Sequence, residues 1–473
     1  MKEVEVAIIG AGSAGLYCMS QIKHFTDDFI LIDGGELGTT CARVGCMPSK
    51  VLIQVAEDFH RRKIFDREGI EGEENLSINE EDMLEHVQDL RDTFVDQTLS
   101  NSIDILPEDK LIESNVRFIN ANTLETEDGD IVKAKRIIIA TGSRPIIPAA
   151  WNDFSDKILT TDEVFELESL PASVAVIGLG VIGLEIGQSL SRLGVNVTGI
   201  DQQNIICGLD DSEINKTAIE IIGREFPLWL GEAAQITQLD NGNLQVSAGD
   251  KNVEVEKIFA SMGRRANVDK LNLASTGLEI SANGVPVYNP NTMQLGNSSI
   301  YIAGDCNADK PILHEAGFEG RVAGYNIMQD KPTAFKTKTP LAISFCEPNI
   351  VTVGAKLSEL DEQTTAIGEI RMAPVGRALI MGKNRGLIRV YADINTGKIL
   401  GASMACIKGE NLGHLLCWCI EMQMTVHQVL RMPFYHPVIE EALQAALYNL
   451  KSKLNVEETH WPLEIQPMEI QSM

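Results

Sequence analysis

Residues 3–15, E-V-E-V-A-I-I-G-A-G-S-A-G, decide how this chain folds. Residues 3–9 read as a buried strand. Gly10, Gly12 and Gly15 then permit a tight turn and a close backbone approach to a pyrophosphate. Ser13 and Ala14 open a helical pattern that runs to His24, so the helix N-terminus faces the phosphates. A second strand, Phe29 to Ile32, ends at Asp33, an acid placed to accept from a ribose hydroxyl. The unit recurs downstream. A strand from Ser173 to Ile177 leads into Gly178-Leu-Gly180-Val181-Ile182-Gly183, a helix to Leu193, and a strand from Val195 to Ile200 that ends at Asp201. Gly10 to Asp33 and Gly178 to Asp201 share a spacing of 23. Two matched units imply two dinucleotides; the alternative is that one is a structural glycine-rich turn.

Between the units lies Gly38 to Lys50, G-T-T-C-A-R-V-G-C-M-P-S-K. In a regular helix Cys41 and Cys46 would be separated by about 7.5 Å of rise. A disulfide tolerates roughly 4.4–6.8 Å between Cα atoms, so bridging requires a bend, and Gly45 is the residue able to supply it. A bent segment feeding a helix would set the positive helix end near sulfur and favour a thiolate. Two unpaired core cysteines are the alternative. No further Cys or His follows at short spacing to complete a metal site.

The length of 473 residues predicts two to four domains. Hydrophobic residues make up 44% and charged residues 23%, ordinary for a soluble globular protein. No apolar run reaches the roughly 20 residues of a membrane span. The N-terminus enters a strand by residue 6 without a basic leader, so a cytoplasmic location is expected. A net charge of −27 argues against nucleic-acid and anionic-membrane partners. Nine cysteines scattered through a long chain do not form a secreted disulfide framework.

Residues 55–105 are polar and helix-prone, and 54–67, with His60, Arg61, Arg62 and Lys63, read as a solvated helical face. A strand from Arg136 to Ala140 enters Thr141-Gly142-Ser143. Tyr301-Ile-Ala-Gly304-Asp305 is another strand running into a turn at a sheet's carboxyl edge. From about Leu341 the texture changes. Strands are expected over Ile343–Val353, Gly386–Ala392 and Ile399–Cys406, and helices over Gly413–Met424 and Val438–Leu454. An irregular tail with Pro462 and Pro467 follows.

With these stretches in view, the chain resembles the flavin-dependent pyridine nucleotide–disulfide oxidoreductases along nearly its whole length, and within them the dihydrolipoamide dehydrogenases. The resemblance is carried by G-A-G-S-A-G at 10–15, T-C-A-R-V-G-C-M-P-S-K at 40–50, A-T-G-S-R-P at 140–145 and G-L-G-V-I-G-L-E at 178–185. G-R-R at 263–265, A-G-D at 303–305 and H-P-V-I-E-E at 436–441 complete it. It implies an α/β fold: an FAD-binding domain over 1–145 and 272–340, an NAD-binding domain over 146–271, and a C-terminal α+β dimerisation domain over 341–473. It places FAD on the first unit, at Gly10, Gly12, Ser13, Ala14, Gly15, Asp33 and Gly34. Thr40, Lys50, Thr141, Gly142, Ser143, Gly304, Asp305, Leu313 and His314 close on the same cofactor. NAD falls to Gly178, Gly180, Val181, Ile182, Gly183, Glu185, Asp201 and Gly263. Cys41 is implied as the thiol that exchanges with substrate and Cys46 as the one nearest the flavin, with Lys50 paired to Glu185. His436 and Glu441 match an acid–base pair that acts across a homodimer interface on a small or protein-bound disulfide such as lipoamide. Imidazole suits proton management in thiol exchange near neutral pH.

Three departures stand out. Thr39 occupies a position where the family carries glycine, Arg43 places a cation near the thiols, and Phe434-Tyr435 sets an aromatic wall before His436. The competing readings are another NAD(P)H-dependent disulfide or metal-ion reductase of this family, and a redox-sensing flavoprotein without turnover. The absence of vicinal cysteines from the C-terminal Ile-Gln-Ser-Met speaks against a mercuric reductase. The complete acid–base pair speaks against a sensor. Gln202, Gln203 and Asn204 after Asp201 offer no cation for the extra phosphate of NADP.

Overall fold

Strand β1 (Lys2–Ile9) is the axis of the first sheet in the computed structural model, which describes residues 1–456. It pairs in parallel with β2 (Phe29–Ile32) on one side and β3 (Ile131–Ile139) on the other. Helix α1 (Ser13–Ile22) is the crossover between β1 and β2. Runs of Val and Ile fill these strands because parallel strands are buried on both faces. Strand β4 (Ser173–Ile177), helix α5 (Val181–Arg192) and strand β5 (Asn196–Asp201) repeat the arrangement in a second, five-stranded parallel sheet. The chain then returns to the first sheet, where β7 (Ile300–Ile302) pairs in parallel with β3. Within the second sheet β6 (Lys257–Ala260) pairs in parallel with β4.

Helices α2 (Thr40–Val44), α3 (Cys46–Arg61) and α4 (Glu80–Ser100) connect β2 with the remainder of the first sheet, and α6 (Leu313–Asn326) packs on α1. Gly320 and Gly324 permit that approach: a Cβ on either would lie 2.6 Å from a backbone oxygen of α1.

The last part is a five-stranded antiparallel sheet of β8 (Leu341–Ser344), β9 (Asn349–Gly354), β10 (Thr365–Arg371), β11 (Leu387–Asp393) and β12 (Ile399–Cys406). Helices α7 (Gly409–Glu421) and α8 (Glu440–Lys451) cover it around a core that includes Val351, Met404 and Leu447.

Three expectations need correction. The strand expected over Ile343–Val353 is two strands, interrupted by a turn through Pro348, which cannot donate to a ladder. Strand β10 went unread because its Gly368 and alternating polar residues hide the pattern; that glycine lets α8 approach. The stretch 54–67 is not a plain solvated face. His60 is half-buried near Arg192, and burial together with that guanidinium lowers its pKa to about 4. The expected irregular tail lies outside the described residues beyond Val456. Among the described residues no helix is long and apolar enough to cross a membrane.

Candidate active site

Both nucleotide units close by the same local geometry. Gly10 turns with φ 111°, and a Cβ there would stand 2.2 Å from the Ala140 oxygen. Gly178 turns with φ 95°, its Cβ position 2.4 Å from the Ser261 oxygen. Gly15 and Gly183 press equally close, to the oxygens of Gly10 and Gly178. A Cβ on Gly12 or on Gly180, by contrast, meets nothing within 4 Å, so each helix N-terminus opens onto free space. Asp33 accepts from the Ala11 amide at 2.6 Å and the Gly35 amide at 2.8 Å. Asp201 accepts from Leu179 at 2.7 Å and Gln203 at 2.9 Å. Each acid thereby ties its strand end to its glycine turn.

Around the first unit, Ser143 donates to Asp305 at 2.8 Å, and Gly304 stacks so closely on Ala14 that a Cβ would lie 2.7 Å from it. Thr141 Oγ1 is buried and has no hydrogen-bond partner among the described residues. Gly142 turns with positive φ between them. Gly34 packs against the Asn115 backbone, Thr40 begins α2, and Leu313 and the half-exposed His314 begin α6. An orphaned hydroxyl, an open helix N-terminus and an acid at the strand end fit an FAD. The second unit, with Val181 and Ile182 opening α5 and Gly263 at φ 99°, shares the open helix N-terminus and the acid at the strand end and fits a nicotinamide dinucleotide.

The redox stretch bends where its glycine allows. Helix α2 stops at Gly45 (φ −136°, ψ −120°) and α3 begins at Cys46, so that cysteine sits in the first turn of a 16-residue helix. A Cβ on Gly45 would stand 2.8 Å from the Thr40 oxygen. The two thiols are hydrogen-bonded to one another. That bond, with Cys41 keeping its proton, lowers Cys46 to about 7, helped by the charge of Lys50. The same bond, followed by burial, raises Cys41. One sulfur is therefore poised as thiolate and its neighbour as thiol, a property of the pair.

Lys50 contacts the buried Glu185 at 2.7 Å and lies over the Phe345 ring at 4.7 Å. The second Glu185 oxygen accepts from the Phe345 amide at 2.7 Å. Lys50 is the cation that acts on both thiols, whereas the guanidinium of Arg43 is held by Glu36. Thr39 adopts φ 67°, ψ 145°, a conformation suited to glycine, while its hydroxyl accepts from Ala42 at 3.3 Å and caps α2.

His436 and Glu441 stand apart. Nδ1 lies 2.8 Å from Glu441 Oε1, and the Val438 amide donates to Oε2 at 3.1 Å. The imidazole is 81% exposed and does not line the cavity that holds Cys41. That cavity, about 770 Å³, is lined by residues of α1 and α4 together with Cys41, Thr39, Met47 and Leu313.

Sequence reading missed two supports. Arg264 donates to both Ser143 oxygens at 2.7 Å, and the buried Glu319 accepts from the Gly304 amide at 2.7 Å and Asn307 at 2.8 Å. Arg264 lies within the G-R-R motif and Glu319 in no motif, but only the fold brings either of them to the Gly304–Asp305 turn.

Comparison with known proteins agrees with this geometry. Residues 4–329 match the family model for pyridine nucleotide-disulphide oxidoreductases, and residues 341–447 match that family's dimerisation domain. The chain is 27% identical to a dihydrolipoyl dehydrogenase of Halobacterium salinarum, over 93% of this chain and 95% of that one. It is also 27% identical to a mercuric reductase of Acidithiobacillus ferrooxidans, over 94% and 82%. Its fold is shared with the Cu(II) complex of the HOCl-induced flavoprotein disulfide reductase RclA from Escherichia coli, at a TM-score of 0.82 and 19% identity, over 96% of this chain and 99% of that one. The chain belongs to the pyridine nucleotide–disulphide oxidoreductase family, whose members depend on FAD and use NAD(P)H, and it carries the family's dimerisation domain.

Proposed function

We propose that the protein moves two electrons between NAD(H) and a disulfide or dithiol through Cys41 and Cys46, with lipoamide as the first substrate to test. The observation that carries this reading is the Gly45 bend, which brings the two sulfurs into one hydrogen bond beside the Lys50–Glu185 pair. Bound FAD supplies the two-electron relay between nicotinamide and disulfide. The chain's own residues do the rest. The glycine turns and Asp33 seat one dinucleotide, and those of the second unit with Asp201 seat the other. Lys50 holds positive charge beside Cys46 and favours its thiolate. Cys41, which lines the cavity, gives up its proton and attacks one sulfur of the substrate disulfide; the other sulfur leaves and takes that proton. Cys46 then displaces the substrate from Cys41 and closes the internal disulfide. The balance is one disulfide, one NADH and one proton giving one dithiol and NAD⁺.

His436 is proposed as the proton carrier, its ring oriented by Glu441, and it serves the cavity of the partner subunit. Its exposure in the single chain and the dimerisation domain beneath it support that assignment. The proposed division remains 1–145 with 272–340, 146–271, and 341–473. A metal-ion reductase is the second reading, because the similarity to a mercuric reductase is also 27%.

Mixing Cys41→Ser with His436→Ala subunits tests the reading. The His436→Ala homodimer is expected to lose lipoamide turnover by about 10²–10⁴-fold, the Cys41→Ser homodimer to be inactive, and hybrid dimers to regain one working site. Verified subunit exchange without recovery would reject a shared site.

A further inference from the structure

Thr39 holds a backbone conformation that its residue type disfavours. Its φ of 67° and ψ of 145° lie where glycine is nearly alone, and a β-branched side chain makes that backbone strained. Such strain persists only where the surroundings over-determine the geometry. Here they do. The Thr39 hydroxyl accepts from the Ala42 amide at 3.3 Å and its carbonyl from the Arg43 amide at 3.1 Å, so both oxygens of one residue hold the first turn of α2. On the other side Gly38, at φ 110°, is pressed onto α4, and a Cβ there would lie 2.7 Å from Val95 Cγ1. The Arg43 stem closes over the same position, with Cγ and Cδ at 3.4 Å. Glu36, the ion partner of Arg43, is 77% exposed, so the ion pair adds little; the packed stem and the cap do the holding.

The helix fixed in this way has five residues and carries Cys41 as its second. So short a helix does not persist by itself. Cys46 needs no such help, because it stands in the first turn of the 16-residue α3. The two sulfurs therefore differ in support. When the bond between them is open, the frequency with which they meet depends on how firmly α2 is held at its Thr39 end.

We propose that Thr39 is a positioning residue that sets the redox equilibrium of the Cys41–Cys46 pair: its hydroxyl keeps Cys41 beside Cys46 in the dithiol state, raises the effective concentration of one sulfur at the other, and so favours the disulfide. This rests on the thiol-exchange reading of the pair. Without the cap, the strained turn relaxes in the dithiol but stays constrained under the disulfide, so the loss falls on the disulfide.

The test is an equilibrium measured apart from turnover. FAD-loaded protein is held in buffers of reduced and oxidised dithiothreitol, then quenched, and the peptide with both cysteines is counted as dithiol or disulfide by mass. In the exchange, protein disulfide and reduced dithiothreitol give protein dithiol and oxidised dithiothreitol, with two electrons and two protons passing to the protein. Thr39→Val keeps the branched shape and removes the hydroxyl, whereas Thr39→Ser keeps the hydroxyl. Thr39→Val is expected to shift the equilibrium toward the dithiol by about three- to tenfold, the scale of a lost helix N-cap, and Thr39→Ser to stay within about twofold of the parent. Alkylation of Cys46 against pH gives a second readout: with Cys41 less often at its side, its titration should rise from about 7 in Thr39→Val alone. If Thr39→Val does not fold, Thr39→Ala against Thr39→Ser makes the same comparison. If the parent forms no Cys41–Cys46 disulfide at any buffer ratio, the thiol-exchange reading itself fails. If the disulfide forms and Thr39→Val matches the parent or moves toward the disulfide, or if Thr39→Ser shifts as far as Thr39→Val, the hydroxyl clamp is rejected.

Discussion

Tyr17 and Glu185 stand at the same step of the two nucleotide units, two residues beyond the last glycine of each, and their surroundings make them opposites. Glu185 is 3% exposed, locked between Lys50 and the Phe345 amide. Tyr17 is 36% exposed, leaning on Arg321 and on the glycines of α6. The turns before them are near copies: an open glycine, a glycine forced into positive φ, and an acid that accepts two amides. The difference lies in what packs on the helix. Helix α5 is enclosed by α3 and the turn after β8, so its carboxylate faces inward to the redox helix. Helix α1 is covered on one side by α6 and left open to the cavity on the other. Repetition fixes where a dinucleotide rests; packing decides whether the next helix serves chemistry or access.

The sharpest way to break the comparison is to place valine at the two open glycines. Neither side chain would collide with protein, since nothing lies within 4 Å of either Cβ position. Both backbones have ordinary negative φ, −73° at Gly12 and −69° at Gly180. Gly12→Val is therefore expected to fold yet purify colourless, with FAD affinity reduced at least about 100-fold, a loss of ~3 kcal/mol. Gly180→Val should purify yellow and lose NADH turnover to a similar degree. Absorbance at purification and steady-state kinetics read the two outcomes. A yellow Gly12→Val protein would show that the first turn does not carry the flavin phosphates.

A smaller effect is expected from Lys50→Met and Glu185→Gln, which separate the charges around Cys46. Lys50 lowers that thiol and Glu185 raises it. Removing the lysine should move the titration above about 7, and removing the carboxylate should move it below, each by roughly half to one pH unit. The rate of Cys46 alkylation against pH in the reduced protein measures both. Because Cys46 titrates below an ordinary thiol, its contribution to the reduced protein's stability is present above the ordinary value and lost as pH falls through about 7. Lys50→Met should also cost stability, since it leaves the buried Glu185 carboxylate with the Phe345 amide alone. Shifts in the same direction for both variants would mean that the pair does not set the thiolate.

How much of this was legible in the sequence follows from the range of each interaction. The nucleotide turns were readable because strand, glycines, helix and acid are consecutive, and β2 and β4 begin and end where the pattern puts them. The bend at Gly45 was readable because one residue type fits it. Arg43 misled, since its partner Glu36 could be identified only once the loop was folded. Glu319, Arg264 and Phe345 reach the site from 15 to 160 residues away through backbone amides and hydroxyls. Such contacts leave no periodic trace in the chain. The cavity was invisible for a related reason: its lining comes from which face of α4 turns inward, and a helix so polar overall gives little amphipathic signal.

The smallest expected effect tests the two acids that the units share. Asp201 uses both carboxylate oxygens, accepting from Leu179 and Gln203, and no basic residue occurs from Gln202 through Asn215 to attract a 2′-phosphate. Its charge should therefore disfavour NADPH by repulsion in addition to any contact it makes with a ribose. Asp201→Asn removes the charge while keeping one acceptor oxygen. The amide nitrogen must then face one of the two backbone donors, so some affinity for NADH is lost, about one hydrogen bond to a charged group, ~1.5–3 kcal/mol at most. NADPH suffers the same loss and gains relief from repulsion, so the ratio of kcat/KM for NADH over NADPH should fall by about three- to tenfold, consistent with ~1 kcal/mol for unit charges at 4 Å in water. Asp33→Asn makes the equivalent change in the first unit, where it should weaken FAD binding and leave that ratio alone. The pair of variants thus asks whether identical geometry performs one task at two sites. A ratio unmoved by Asp201→Asn would assign nucleotide choice to some other part of the second unit, and a ratio moved by Asp33→Asn would mean the two units are coupled through the redox helix between them.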